Sequence, residues 1–247
     1  MQDSEHCMPP VSSHGRTCEP ILRLEGLTRV FKQGEREIRV LDNASADLWP
    51  GEAVALVGPS GAGKSTLLHV TGLLETPTSG RVVVAGRDCT GFDDAARTAV
   101  RRDEMGFVYQ FHQLLPEFSA VENVAMPMMI QGTSRTAATA RAKEMLAAIG
   151  LEKRFDHRPA QLSGGEQQRT AICRALATQP KLLLADEPTG NLDPETSEAV
   201  FSGLIELITT TGVAALIATH NFDLAHRMHR ILRLANGKLV ELPRSAA

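Results

Sequence analysis

The sequence is short of several things, and each shortage narrows the reading. Its four cysteines, Cys7, Cys18, Cys89 and Cys173, have no C-x-x-C spacing, and a chain this long does not need disulfide staples, so free thiols are expected. The stretch with His6, Cys7, His14 and Cys18 lacks the ligand-pair spacing of a metal site. Rich in Pro, Ser and Gly, residues 1–19 read as a disordered tail. No apolar run approaches the roughly 18 residues that cross a bilayer. The N-terminal stretch, with Asp3 and Glu5, has no secretory apolar segment, which points to the cytoplasm unless a partner holds the chain at a membrane. A formal net charge of −3 gives no electrostatic reason to expect nucleic acid. Internal repeats are absent.

What is present begins with residues 53–66, AVALVGPSGAGKST. An apolar, strand-length run passes into Gly58, Pro59, Ser60, Gly61, Ala62, Gly63, Lys64, Ser65 and Thr66, matching the G-x-x-x-x-G-K-[ST] phosphate loop. The glycines let backbone N–H groups turn around a phosphate chain, and a helix starting near Gly63 aims its positive end at the same charge. Lys64 is expected on the β and γ phosphates, and Ser65 on Mg²⁺. The chain is therefore expected to bind a nucleoside triphosphate.

Upstream, residues 21–52 alternate in short runs, ILRLE, REIRVL and ASADLW, separated by turn-prone residues 32–35 and closed by Pro50 and Gly51. Phe31, read as lying between the first two strands, either stacks on a base or packs in the core. Downstream come a strand RVVV, a polar segment and a strand ending at Gln110. The run FHQLLPEFSAVENVAMPMMI fits helices broken at Pro116 and Pro127, followed by an amphipathic helix over residues 134–149 that Gly150 stops. Short buried strands follow at residues 182–185 and 213–219, separated by a helix from Pro194 to about Thr209. A terminal hairpin turns at Asn236 and Gly237. This pattern predicts an α/β fold: a mostly parallel core sheet, an N-terminal antiparallel β subdomain, and an all-helical insertion at about 111–178 within a single nucleotide-binding domain over 20–247.

The strand LLLAD ends in Asp186 and Glu187. At the carboxyl edge of such a sheet, Asp186 suits Mg²⁺ and Glu187 suits polarising the attacking water. In LSGGEQQR, Ser163 and Glu166 fit a helix capping box, while Ser163, Gly164 and Gly165 equally suit a second anion site.

LSGGEQQR, lying between a phosphate loop and an Asp-Glu strand, resembles the signature of ATP-binding cassette (ABC) ATPases, and the likeness extends over residues 21–242. It implies a P-loop NTPase fold of ABC type using ATP and Mg²⁺. Gln110 matches the glutamine that senses Mg²⁺ and the γ-phosphate, Asp193 in Asn-Leu-Asp the loop that crosses the dimer interface, and His220 the switch histidine. Phe31 stands where the family often has a base-stacking tyrosine. From the residues alone, Gln110 also fits a strand cap, Asp193 with Pro194 a helix N-cap and N1 pair, and His220 a structural histidine. The segments YQFHQLLPEF, TGLLETPTSG, RPAQLSGGE and ADEPTGNLD resemble the subfamily of lipoprotein-releasing, macrolide-export and cell-division ATPases, with the lipoprotein-releasing branch most similar. That resemblance implies a homodimer at the cytoplasmic face of a bacterial inner membrane, hydrolysing ATP for two integral membrane subunits and touching the membrane only through them. It also implies that the region holding Phe111, Leu114, Leu115 and Phe118 meets a cytoplasmic helix of those subunits; packing of all four inside the helical insertion is the alternative.

Overall fold

In the computed structural model the described residues are 19–34 and 36–243. The expected tail, apart from Glu19, lies outside them, as do Cys7 and Cys18. Cys89 and Cys173 are free and buried.

The chain runs β1 (Leu22–Gln33), β2 (Arg36–Leu48), β3 (Ala53–Val57), α1 (Lys64–Thr71), β4 (Ser79–Val84), β5 (Arg87–Asp88), α2 (Asp94–Glu104) and β6 (Met105–Tyr109). It continues through α3 (Ala120–Ile130), α4 (Arg135–Ala148), α5 (Gly164–Leu176), β7 (Leu182–Asp186), α6 (Pro194–Thr211), β8 (Ala214–Ala218), α7 (Phe222–His226), β9 (Arg230–Ala235) and β10 (Lys238–Leu242). Two sheets result: an antiparallel one, β2-β1-β4-β5, and a larger one ordered β10-β9-β3-β8-β7-β6. In the larger sheet β9, β3, β8, β7 and β6 are parallel, and β10 adds antiparallel through the hairpin at Asn236 and Gly237, both at positive φ.

The central parallel strands β3 and β8 are buried on both faces. Every residue of β3 and β8 is covered, which is why they read as unbroken apolar runs. One core lies between the two sheets and includes Leu24, Leu41, Leu56, Leu67 and Leu216. A second lies under α5, α6 and α7, with Phe201, Leu204 and Ile217. A third belongs to the helical segment, where Val124 of α3 meets Ala138, Ala142 and Leu146 of α4.

Four local expectations need correction. REIRVL and ASADLW are one continuous strand, β2, paired along its length with β1. Phe31 is inside β1, opposite Ile38, rather than between strands. The polar segment before β6 is the helix α2, capped by the Asp93 side chain. Its weak pattern has a plain cause, since it buries only Val100 and Glu104. Pro127 sits inside α3 and does not break it. A proline removes one N–H bond from the helix ladder, and here the flanking Val124 and Met128 are buried in the third core, so packing outweighs that loss. Gly150, at positive φ, does close the segment after α4.

Candidate active site

Strand register assembles the site. Leu56 of β3 lies opposite Ala218 of β8, Ala218 opposite Asp186 of β7, and Asp186 opposite Tyr109 of β6. The residues just beyond this transverse row are the phosphate loop, His220, Glu187 and Gln110, so four segments far apart in sequence leave the same edge of the sheet. The row is cross-linked at its end, where the Thr219 N–H donates to the Leu56 carbonyl at 3.1 Å and the Glu187 N–H to the Ala218 carbonyl at 3.0 Å. This is the carboxyl edge, where open α/β sheets bind ligands.

In the phosphate loop Gly63 is the N-cap of α1 at φ 100°, in the left-handed region that favours glycine. A Cβ there would come within 2.5 Å of Val40 Cγ1, so β2 also presses on this turn. No side chain caps α1 and no acid occupies its first turn. Its N-terminal backbone donors and positive dipole end remain available to an anion. Lys64 Nζ donates to the carbonyls of Gly58 at 2.9 Å and Pro59 at 3.3 Å, which folds the ammonium back over the loop. Pro59, Ser60, Gly61 and Ser65 are exposed, whereas Ala62 and Thr66 are part-buried.

Glu187 adopts φ 48°, an unusual conformation for a residue with a side chain, worth roughly 1–3 kcal/mol of strain. Its carbonyl accepts from the Gly190 N–H at 3.0 Å, and one carboxylate oxygen lies 2.8 Å from His220 Nδ1. The Glu187 side chain is 16% exposed while that of His220 is 70% exposed. A sheltered carboxylate thus bridges to an imidazole that faces outward. Gln110 Nε2 donates to Asn191 Oδ1 at 3.0 Å, and Asn191 Nδ2 returns a bond to the Gln110 carbonyl at 3.1 Å. The sequence marks Asn191 only as the first residue of Asn-Leu-Asp, and its pairing with Gln110 shows only in the structure.

Ser163, Gly164 and Gly165 open α5 elsewhere. The Ser163 N–H donates to Glu166 at 2.8 Å and the Glu166 N–H to Ser163 Oγ at 3.3 Å, a complete capping box. Arg154 Nε holds the other Glu166 oxygen at 2.8 Å. Arg154 and, to a lesser degree, the Ser163 N–H keep the Glu166 carboxyl below the usual glutamate range. A Cβ on Gly165 would lie 2.4 Å from Thr196 Cγ2, so the signature segment is packed against the start of α6. Asp193 caps that helix through the Thr196 N–H at 3.0 Å, and this bond lowers its pKa. Both the helix-cap and the anion-site readings of Ser163 therefore remain compatible with the geometry. Phe31 stands apart from the sheet edge on β1, with the Arg29 guanidinium 4.4 Å over its ring.

The residues expected to hold Mg²⁺ are of a kind that fits the ion. Ser65 and Asp186 supply hard oxygens with no hydrogen-bond or ion-pair partner among the described residues. Gln110 engages Asn191 through its amide nitrogen, which leaves its amide oxygen as a donor. Of the apolar residues after Gln110, Phe111 is 76% exposed and Leu115 and Phe118 are each 37% exposed. Packing of all four inside the helical segment is thereby overturned.

Residues 41–190 match the family described as ABC transporter. The chain is 62% identical over 219 residues to the lipoprotein-releasing system ATP-binding protein LolD 1 of Rhodospirillum rubrum, covering 89% of this chain and 97% of that one. It is 58% identical over 221 residues to LolD 2 of Caulobacter vibrioides, with coverages of 90% and 97%. A solved dimeric ATP-binding cassette in a post-hydrolysis state, bound to ADP and Pi, aligns with TM-score 0.83 and 38% identity over 92% of this chain and all of that one. The fold, the motif order and these likenesses agree: the chain belongs to the ABC transporter family of ATP-binding cassette ATPases.

Proposed function

We propose that this chain is the ATP-hydrolysing subunit of a lipoprotein-releasing system, working as a head-to-tail homodimer at the cytoplasmic face of a bacterial inner membrane. Two integral membrane subunits of LolC/LolE type are its partners. No described helix is long and apolar enough to cross a membrane; in this reading membrane contact is made by those subunits. The similarity to lipoprotein-releasing ATPases over about nine-tenths of the chain supports the substrate class. The observation that carries the chemistry is the Glu187–His220 contact at the sheet edge from which the phosphate loop also leaves.

ATP lies with its phosphates in residues 58–66 and its base against Phe31. Lys64 leaves the carbonyls of Gly58 and Pro59 to bind the β and γ oxygens, and the amides at the start of α1 cradle the chain. Ser65, Asp186 and Gln110 would hold Mg²⁺, which would supply neutralisation of the phosphate charge. Glu187 orients the attacking water and takes its proton as the new P–O bond forms and the bond to the β–γ bridging oxygen breaks, leaving ADP and Pi. His220 fixes the Glu187 carboxylate and reaches toward the γ-phosphate. Ser163, Gly164 and Gly165 of the second copy close over the nucleotide, and Asp193 stands at the crossing between copies. Phe111, Leu115 and Phe118 form the apolar surface offered to a cytoplasmic helix of the membrane subunits, since such an exposed group marks a contact site.

Reconstitution tests the reading. With its co-purifying membrane subunits in proteoliposomes, the wild-type chain should release a lipid-modified protein on ATP addition, and the Leu115→Asp variant should keep ATP affinity and thermal stability yet fail to assemble or to drive release. Membrane partners that export a macrolide or belong to the division machinery would sink the lipoprotein assignment.

A further inference from the structure

We infer that Arg29 is a positioning residue that orders the base-stacking Phe31 and ties it to the helix starting at the phosphate loop. The inference deepens the reading of Phe31 as the base platform and rests on it. The Arg29 guanidinium lies 4.4 Å over one face of the part-buried Phe31 ring; in the proposed reading a planar ligand takes the other face. Arg29 is itself held. Its Nε and Nη2 lie 3.2 Å from Glu75 Oε2, and the other Glu75 oxygen is 3.5 Å from Nδ1 of His69, in the last turn of α1. The Glu75 N–H also donates to the His69 carbonyl at 3.2 Å.

The loop after α1 braces β1 on both sides of Arg29. The Thr78 N–H donates to the Thr28 carbonyl at 2.8 Å, and the Val30 N–H to Thr78 Oγ1 at 3.0 Å. The β1–β2 register shifts on either side of Arg29; such irregularities re-aim side chains. Arg29 and Glu75 are only about a quarter exposed, which strengthens the cation–π contact relative to an open surface. A chain of contacts thus runs Phe31, Arg29, Glu75, His69, from the β subdomain to α1. The two ends of a bound nucleotide, base and phosphates, are referred to one rigid unit. Ordering the ring before binding removes that cost from the bound state.

Titration of the full chain with MgATP and, separately, with inorganic tripolyphosphate and Mg²⁺ tests this, beside steady-state kinetics. Arg29→Ala should weaken ATP binding and raise KM about three- to tenfold, the range expected for one side chain left unordered, with kcat and tripolyphosphate affinity held. Arg29→Lys should restore most of the affinity, and Glu75→Gln should shift KM the same way as Arg29→Ala by less. Should Arg29→Ala fail to fold, the Lys and Gln variants carry the test. If Phe31→Ala weakens ATP selectively but none of the Arg29 and Glu75 variants does, the inference is wrong and the base platform stands. If Phe31→Ala leaves ATP affinity unchanged, the base reading itself falls. Equal weakening of ATP and tripolyphosphate by Arg29→Ala would show a general loss of structure and overturn the positioning role.

Discussion

Helices α1 and α5 both begin at glycine-rich loops, yet their first turns are finished in opposite ways. Helix α1 starts from a glycine with no side-chain cap and no acid in its first turn. Helix α5 starts from Ser163 in a reciprocal capping box, with Glu166 in its first turn and Arg154 behind it. The positive end of α1 is open to a phosphate, while that of α5 is already complemented by a carboxylate. Strong anion affinity is therefore expected at α1, with α5 adding only a hydroxyl and a few backbone donors to a nucleotide held elsewhere. Within the chain those donors sit against Leu192 and Thr196, beside the loop that leads into α6.

The sharpest test of the α1 side is its chemistry. Glu187→Gln should lower steady-state hydrolysis by about 10²–10⁴-fold, the range for loss of a general base, with ATP binding retained and an ATP-bound dimer accumulating in size-exclusion chromatography. Unchanged hydrolysis would remove Glu187 from the role. Lys64→Ala acts on binding, and about a 10²-fold loss of ATP affinity by calorimetry is expected, in line with removal of one preorganised donor to phosphate charge. An ordinary affinity in that variant would break the contrast between the two helices.

The contrast was only half visible in the sequence. The places of the phosphate loop, Asp186 and Glu187 were legible because one pattern marks them: an apolar run covered by packing, then residues at the strand's end. The capping box at Ser163 was legible too, from its spacing. The Arg154 contact to Glu166, the Gln110–Asn191 pair and the Arg29–Glu75 pair were not, because they join residues 12, 81 and 46 positions apart through side-chain geometry that no local pattern encodes. Helix α2 escaped because an exposed, charged helix has almost no apolar stripe to read. Pro127 reads as a break because proline is locally unfavourable inside a helix, whereas the packing of Val124 and Met128 that keeps α3 continuous is not encoded locally.

If α5 serves a nucleotide held by another copy, its defect and that of α1 should complement. A tethered heterodimer of Lys64→Ala with Ser163→Arg keeps one intact composite site, and its ATPase rate should exceed that of either tethered homodimer severalfold, approaching half the wild-type rate if sites act independently. Rates no higher than the homodimers would place Ser163 and the phosphate loop in the same chain's site.

The smallest effect expected is at Glu166. Glu166→Gln keeps the side chain's shape and its place in the capping box, but removes the charge that meets Arg154 and the helix end. Thermal or denaturant unfolding should show a loss of about 0.3–1 kcal/mol, the usual worth of a carboxylate at a helix N-terminus, with little change in ATP affinity. The sign of its pH dependence follows from the lowered carboxyl pKa. A glutamate ionising more easily folded than unfolded contributes fully above its unfolded value, about 4.3, and that contribution disappears as pH falls through the lower folded value. The stability gap between wild type and variant should thus be complete at pH 7 and close progressively below about pH 4.3. A gap that stays constant down to pH 3 would mean the charge does not complement α5. Loss of ATP binding comparable to that of Lys64→Ala would mean the two helix ends are not divided as their caps imply.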